Sequence, residues 1–192
     1  MGDLGPHVCY LPFRAGWVLQ NVRAVLSNIV PQRPDGKGGE APCETWDNAT
    51  LLCEARDSNS GGKFPFTLKI QRISPGQKSN WYLEVLGTKA SARFSTRDAN
   101  SLEILEYSGG KQAWQRIDMG HNVTFKSITP GVFQFGVCDA ILQTWAAFLY
   151  ELDKGEHLTN FSGCVTPKET ALSHRLFTAA LESQATGATV PL

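Results

Sequence analysis

The chain opens Met-Gly-Asp-Leu-Gly-Pro-His-Val, which sets Asp3 and His7 four residues apart. On a helix that spacing puts two side chains on one face, one turn apart. A carboxylate one turn from an imidazole can orient the ring and raise its basicity, which is the chemistry of a general acid/base pair. At a chain end the same two residues also read as a frayed terminus that carries polar groups. Cys9 adds a third metal-ligating type, but the spacing indicates no fourth ligand, so no metal site is expected.

Other chemistries find no motif. The segment DGKGGEA at 35–41 follows a strand pattern, yet a G-x-G-x-x-G starting at Gly36 needs glycine at the position of Ala41. No helix pattern follows it, so no phosphate would meet a helix N-terminus. SGGKF and SGGKQ resemble the tail of a phosphate loop but lack a Ser or Thr after the lysine. Neither a G-x-S-x-G elbow nor a recognisable cysteine nucleophile is present. His121, His157 and His174 read as packed or surface histidines, and the tryptophans as core.

The elements that must position Asp3 and His7 follow from period. The stretch from Val18 to Val30 alternates as a strand. PQRPDGKGGEAP, rich in Pro and Gly, reads as a flexible connection. TWDNATLLCEAR, FPFTLKIQRI and NWYLEVLGTKASARFST are strand-like and separated by turn residues. In the second, Phe64, Phe66, Leu68 and Ile70 share one face and Thr67, Lys69 and Gln71 the other, which predicts an antiparallel sheet with one buried and one wetter face. Lys69, Gln71 and Arg72 are polar candidates on that wetter face for binding a hydroxyl-rich ligand; a solvated or subunit-facing surface is their alternative reading. SLEILEY and KQAWQRID meet at an SGG turn and predict a hairpin.

The period then becomes helical. Ile141, Leu142, Trp145, Phe148, Leu149 and Leu152 form one stripe, with Gly155 as its stop. In the final segment Thr166 and Glu169 make a capping box, Pro167 takes the first helical position, and Gly187 closes a helix whose buried stripe is Leu172, Leu176, Ala179 and Ala180. Strands first and helices last predict an α+β fold, a large mostly antiparallel sheet with helices on one face.

Composition narrows the partners. Among 192 residues, 18 basic and 18 acidic side chains cancel, without a basic stripe, which argues against nucleic acid or an anionic membrane surface. No apolar run is long enough to span a bilayer. The five scattered cysteines include no C-x-x-C and read as free thiols in a reducing, cytoplasmic setting. The N-x-S/T sequons at Asn48, Asn122 and Asn160 read as chance matches.

Four segments, in order, carry a family resemblance. GDLGPHV resembles the D-x-G-x-H segment of the glucose-fructose oxidoreductase/inositol dehydrogenase (Gfo/Idh/MocA) family. WYLEVLGTKASARF is similar to that family's strand-turn-strand around G-T-K-G-S, with Ala90 where a second glycine is usual. CDAILQTWAAFLYEL resembles the helix that crosses its C-terminal domain, and the last helix and strand resemble a segment ending S-x-x-x-G-x-x-V. The resemblance implies that residues 1–192 form the C-terminal substrate-binding and oligomerisation domain. The N-terminal Rossmann domain, with its glycine fingerprint and E-K-P lysine, has no counterpart in this sequence. It further implies an NAD- or NADP-dependent oxidoreductase acting on a sugar or polyol, with His7 as acid/base and Asp3 positioning substrate and imidazole. The chain alone is expected to bind no cofactor and to form homo-oligomers through its sheet. A non-enzymatic binding or scaffold module, or a fragment of the family's gene, is the rival reading. Ala90 puts one left-handed turn position in doubt, because alanine disfavours positive φ.

Overall fold

The structure, a computed structural model, describes residues 2–120, 122–158 and 161–192. It divides into two compact units, residues 2–75 with Val165–Leu192, and Gly76–Cys164.

The first unit contains α1 (Gly5–Arg14), β1 (Trp17–Leu19), β2 (Asn21–Ser27), β3 (Gln32–Pro34), β4 (Glu40–Pro42), β5 (Asn48–Asp57) and β6 (Lys63–Gln71). The second contains β7 (Tyr82–Leu86), β8 (Ala90–Ser95), β9 (Ser101–Glu106), β10 (Gln115–Asp118) and α2 (Val137–Lys154). The chain then returns to the first unit with α3 (Pro167–Thr186) and β11 (Val190–Pro191). Every strand pair among the described residues is antiparallel.

In the first unit β5 is central, paired with β6 along one edge and with β1 and β2 along the other. The expected Val18–Val30 strand is therefore broken. Leu19 pairs with Ala55 but Arg23 with Leu52, so residues 20–22 oppose only 53 and 54. That extra residue is a β-bulge, which keeps the apolar side chains facing inward on both sides of the break. Val22, Ala24, Leu51 and Ala55 are fully buried with Ala180, and Leu68, Ile70, Leu176 and Phe177 join the same core. Helices α1 and α3 thus cover one sheet face. Each large aliphatic or aromatic side chain buried there contributes about 1.5–3 kcal/mol. The other face leaves Val25 and Leu52 more than half exposed, 58% and 54%.

The capping box of α3 forms as the spacing predicts: the Thr166 hydroxyl accepts from the Glu169 amide, and the Glu169 carboxylate accepts from the Thr166 amide. Gly187 closes the helix at φ 68°, a left-handed value that glycine adopts without steric cost. The Pro/Gly-rich connection is ordered as the hairpin β3–β4, its turn held by Asp35 accepting from the amides of Lys37 and Gly39.

In the second unit four strands run in the order β10-β9-β8-β7. The expected second hairpin forms, but β10 begins at Gln115, later than SGG suggests. Ala90 opens β8 and lies outside the positive-φ positions; Gly87 is the constrained residue there, since a Cβ on it would lie 2.6 Å from the Ala90 carbonyl oxygen. Helix α2 ends at Gly155, φ 68°, as expected. Its apolar stripe does not enter a core: Trp145 is 60% and Leu152 70% exposed, and Asp139, Ala147 and Glu151 are its buried residues. Period alone predicts which residues share a face, not which face is covered.

Candidate functional site

Asp3 lies in the turn that leads into α1, and His7 is the third residue of the helix. The four-residue spacing therefore spans the helix start rather than a complete helical turn. Both side chains are exposed. Gly5 between them is buried, and a Cβ there would run into the ring of Phe177 on α3. The glycine of D-x-G-x-H thus permits close helix packing. Cys9 points the other way, into the core at 1% exposure, and burial pushes its thiol up to about 12. Among the described residues no three His, Cys, Asp or Glu side chains are grouped to hold a metal ion.

Asp3 Oδ2 accepts from Arg72 Nη1 at 3.4 Å. Arg72 follows the last residue of β6, and its amide donates to the Asp47 carbonyl, which continues the β5–β6 register by one residue and sets its side chain in phase with Ile70. This corrects the expectation that Arg72 shares a face with Lys69 and Gln71. Those two remain in the strand, opposite Thr50 and Asn48, and alternation sends them to the open face, away from α1. The structure brings Asp3 and Arg72 together at the start of α1 and does not bring Lys69 or Gln71 to them.

Three supporting carboxylates were not legible as such. Glu169 reads in sequence as a capping residue, yet it also forms a bidentate pair with Arg14 in the last turn of α1, at 2.9 Å for both Nε–Oε1 and Nη2–Oε2. The Arg14 guanidinium holds its carboxyl down at about 2, against the lesser opposing effect of burial. Asp47, 2% exposed, accepts from the amides of Val30 and Ile29 and pairs with Arg33, and the Val30 amide is the largest of the effects that hold its carboxyl below the usual range. Glu151 on α2 is 8% exposed; burial pushes its carboxyl up, but hydrogen bonds from the Leu158 amide, His157 and the Cys164 amide outweigh that and hold it low. Of the histidines read as packed or surface, His157 pairs with Glu151, and His174 meets the Phe177 ring edge-on at 6.4 Å. His121 and Asn160 lie outside the described residues. Asn48 uses its side-chain amide on both backbone groups of Ile73.

A cleft of about 380 Å³ opens on the second unit's sheet, lined by Tyr82, Arg93, Ser95, Glu103 and Arg116 among others. Its guanidiniums are compensated: Arg93 pairs with Glu103 at 2.7 and 3.0 Å and stacks 4.3 Å from the Trp114 ring, and Arg116 pairs with Asp98 at 3.0 Å.

No protein-family model and no curated protein sequence matches this chain. Solved structures do. Levoglucosan dehydrogenase in complex with NADH and L-sorbose is 19% identical with a TM-score of 0.71, over 98% of this chain and 48% of that one. An oxidoreductase domain protein from Kribbella flavida is 18% identical with a TM-score of 0.75, over 98% and 48%. The transcriptional regulator Gal80p from Kluyveromyces lactis is 20% identical with a TM-score of 0.65, over 98% and 44%. The chain therefore spans about half the length of these relatives in structure. Its fold is the α+β fold of the C-terminal domain of Gfo/Idh/MocA-type oxidoreductases.

Proposed function

We propose that residues 1–192 are the substrate-binding and oligomerisation half of an NAD(P)-dependent oxidoreductase that acts on a hydroxyl of a sugar or polyol. The observation that carries this reading is the fold shared, over 98% of this chain, with a dehydrogenase solved with NADH and levoglucosan or L-sorbose. The D-x-G-x-H opening supports it by presenting an exposed imidazole four residues beyond Asp3, which pairs with Arg72. His7 takes or gives the hydroxyl proton, while Asp3 and Arg72 offer an acceptor and a donor for neighbouring hydroxyls.

The described residues do not fit the nicotinamide cofactor. Their strands pair only antiparallel, whereas a dinucleotide sits on a glycine-rich turn between a strand and a helix of a parallel sheet. When bound, the cofactor supplies the hydride acceptor; that half of the site comes from residues outside this sequence. The open face bearing Val25, Leu52, Lys69 and Gln71 is the surface of self-association in this reading, and cysteines that form no disulfide among the described residues accord with its cytoplasmic setting.

A second reading is favoured by one observation: the same fold occurs in a transcriptional regulator, Gal80p. In it, the chain is a non-enzymatic binding module. One experiment separates the two. Fused behind a cofactor domain of this fold class, the chain should support polyol-dependent reduction of the nicotinamide, and His7→Ala should lower turnover by about a hundredfold to ten-thousandfold. An active fusion in which His7→Ala keeps full turnover removes His7 from the chemistry; an inactive fusion that still binds a sugar favours the module.

A further inference from the structure

The hairpin β3–β4 gathers a nucleophile and two groups that can activate it. Arg33 pairs in register with Ala41, and the Cys43 amide donates to the Pro31 carbonyl at 2.8 Å, which continues the ladder past β4. Strand alternation therefore sets Arg33 and Cys43 on one face, diagonally opposed. There Arg33 Nε donates to Cys43 Sγ at 3.1 Å, and the Thr45 hydroxyl lies 3.2 Å from the same sulfur. The far end of the guanidinium pairs with Asp47, the buried carboxylate that also accepts from the Ile29 and Val30 amides. The donor beside the sulfur is thus held in place before any reaction begins.

The thiolate is the nucleophilic form of cysteine, and charged or hydroxyl donors stabilise it. The Thr45 hydroxyl, then the Thr45 amide and Arg33, hold the Cys43 thiol below its ordinary value against the opposing effect of burial. The other cysteines stand differently. Cys9 and Cys53 lie in the core, where burial pushes their thiols up to about 12 and about 11. Cys164 Sγ donates to the Thr144 carbonyl at 3.7 Å, a bond that requires the protonated thiol. Cys138 is the exposed one, so exposure alone selects Cys138, whereas activation selects the half-buried Cys43.

We infer that Cys43, set between Arg33 and Thr45, is the residue of this chain that reacts with hydroperoxides. A sulfur lone pair attacks one peroxide oxygen, and the S–O bond forms as the O–O bond breaks. The bonding pair leaves on the second oxygen, so sulfur is oxidised by two electrons and the peroxide reduced. With hydrogen peroxide the departing hydroxide takes a proton from solvent and leaves as water. Cys43 becomes a sulfenic acid, the reversible first step of thiol oxidation. Arg33 and Thr45 offer donors to the negative charge that moves off sulfur onto the departing oxygen. The sequence holds no motif for this chemistry, because Arg33 and Cys43, ten residues apart, meet only through the hairpin. This reactivity is independent of the oxidoreductase reading.

Dimedone, which adds to sulfenic acids, tests this on the whole folded chain. With equimolar hydrogen peroxide, peptide mass mapping should show the adduct forming on Cys43 at least about tenfold faster than on Cys138, and more slowly still on Cys9 and Cys53. In denaturing urea the preference for Cys43 should vanish, because the hairpin that assembles the three groups is lost. Arg33→Gln and Thr45→Val should each slow trapping at Cys43 at least about threefold, with circular dichroism confirming the fold. Arg33→Gln also strips Asp47 of its partner, so Thr45→Val, which leaves that pair intact, carries the test should the first variant fail to fold. An adduct that forms first on Cys138, a preference for Cys43 that persists in urea, or either folded variant reacting at the wild-type rate overturns the inference.

Discussion

The Arg14–Glu169 pair gives the sharpest quantitative expectation. Replacing Glu169 by Gln keeps the shape and the acceptor that cap α3, but removes the charge that faces the guanidinium. The carboxyl ordinarily titrates at 4.5 and is held at about 2 in the folded chain. At about 1.4 kcal/mol per unit that difference has a ceiling of about 3.5 kcal/mol. The two side chains are 14% and 12% exposed, so solvent screening brings the expectation to about 1–2 kcal/mol. Because the folded value is depressed, the contribution is complete above 4.5 and is lost as pH falls from there towards about 2. Urea unfolding followed by circular dichroism should therefore show Glu169→Gln destabilised by about 1–2 kcal/mol at neutral pH and by less than half of that at about pH 3. Arg14→Gln should destabilise by a similar amount, and the double variant by scarcely more than either single one, since both remove one interaction. A stability difference that is the same at neutral pH and at about pH 3 would refute an ionic origin for the link between α1 and α3.

Ser183→Ala should cost about 1–3 kcal/mol in the same unfolding assay, because the fully buried hydroxyl accepts from the Ala24 amide at 3.0 Å and that amide would be left without its partner. Gly5→Ala should destabilise the first unit by about 1–3 kcal/mol and raise exchange of α1 amides with solvent deuterium, since the added methyl must displace a core phenylalanine ring. Glu151→Gln should increase amide exchange at Leu158 and Cys164, and the wild type should show the same loosening below the ordinary glutamate range, because a depressed carboxyl keeps its stabilising effect above 4.5 and loses it as acid protonates it. Unchanged exchange at both amides in the variant would show that the carboxylate does not hold that loop.

What was legible in the sequence is what depends on local period and local caps. Alternation in FPFTLKIQ fixes which of Leu68 and Lys69 faces the core, and Thr166, Glu169 and Gly187 mark a helix by hydrogen bonds that close within a few residues. The bulge at 20–22 was hidden because Val18 stands in step with Val22, Ala24 and Leu26 and mimics an unbroken strand, whereas pairing with β5 turns Leu19 inward instead. Arg72 was misplaced for a different reason: alternation itself sets position 72 in phase with Leu68 and Ile70, not with Lys69 and Gln71. The exposed stripe on α2 has no local signal at all, since the covering of a face is a property of its neighbours.

The same distinction explains how His7 is positioned. Helix α1 has ten residues, carries Pro12 in its interior and has no side-chain cap, so its own sequence does not stabilise it as an isolated helix. Its order is supplied from elsewhere in the first unit. Gly5 lets it approach Phe177, Arg14 ties its last turn to Glu169 at the start of α3, and Asp3 ahead of it meets Arg72 at the end of β6. These contacts join residues more than sixty positions apart in the chain. An imidazole presented from such a helix is placed by tertiary packing, with the apolar sheet face as foundation and the two ion pairs as guides. The opening motif supplies the exposed imidazole, but α3, at the other end of the sequence, determines where that imidazole is held.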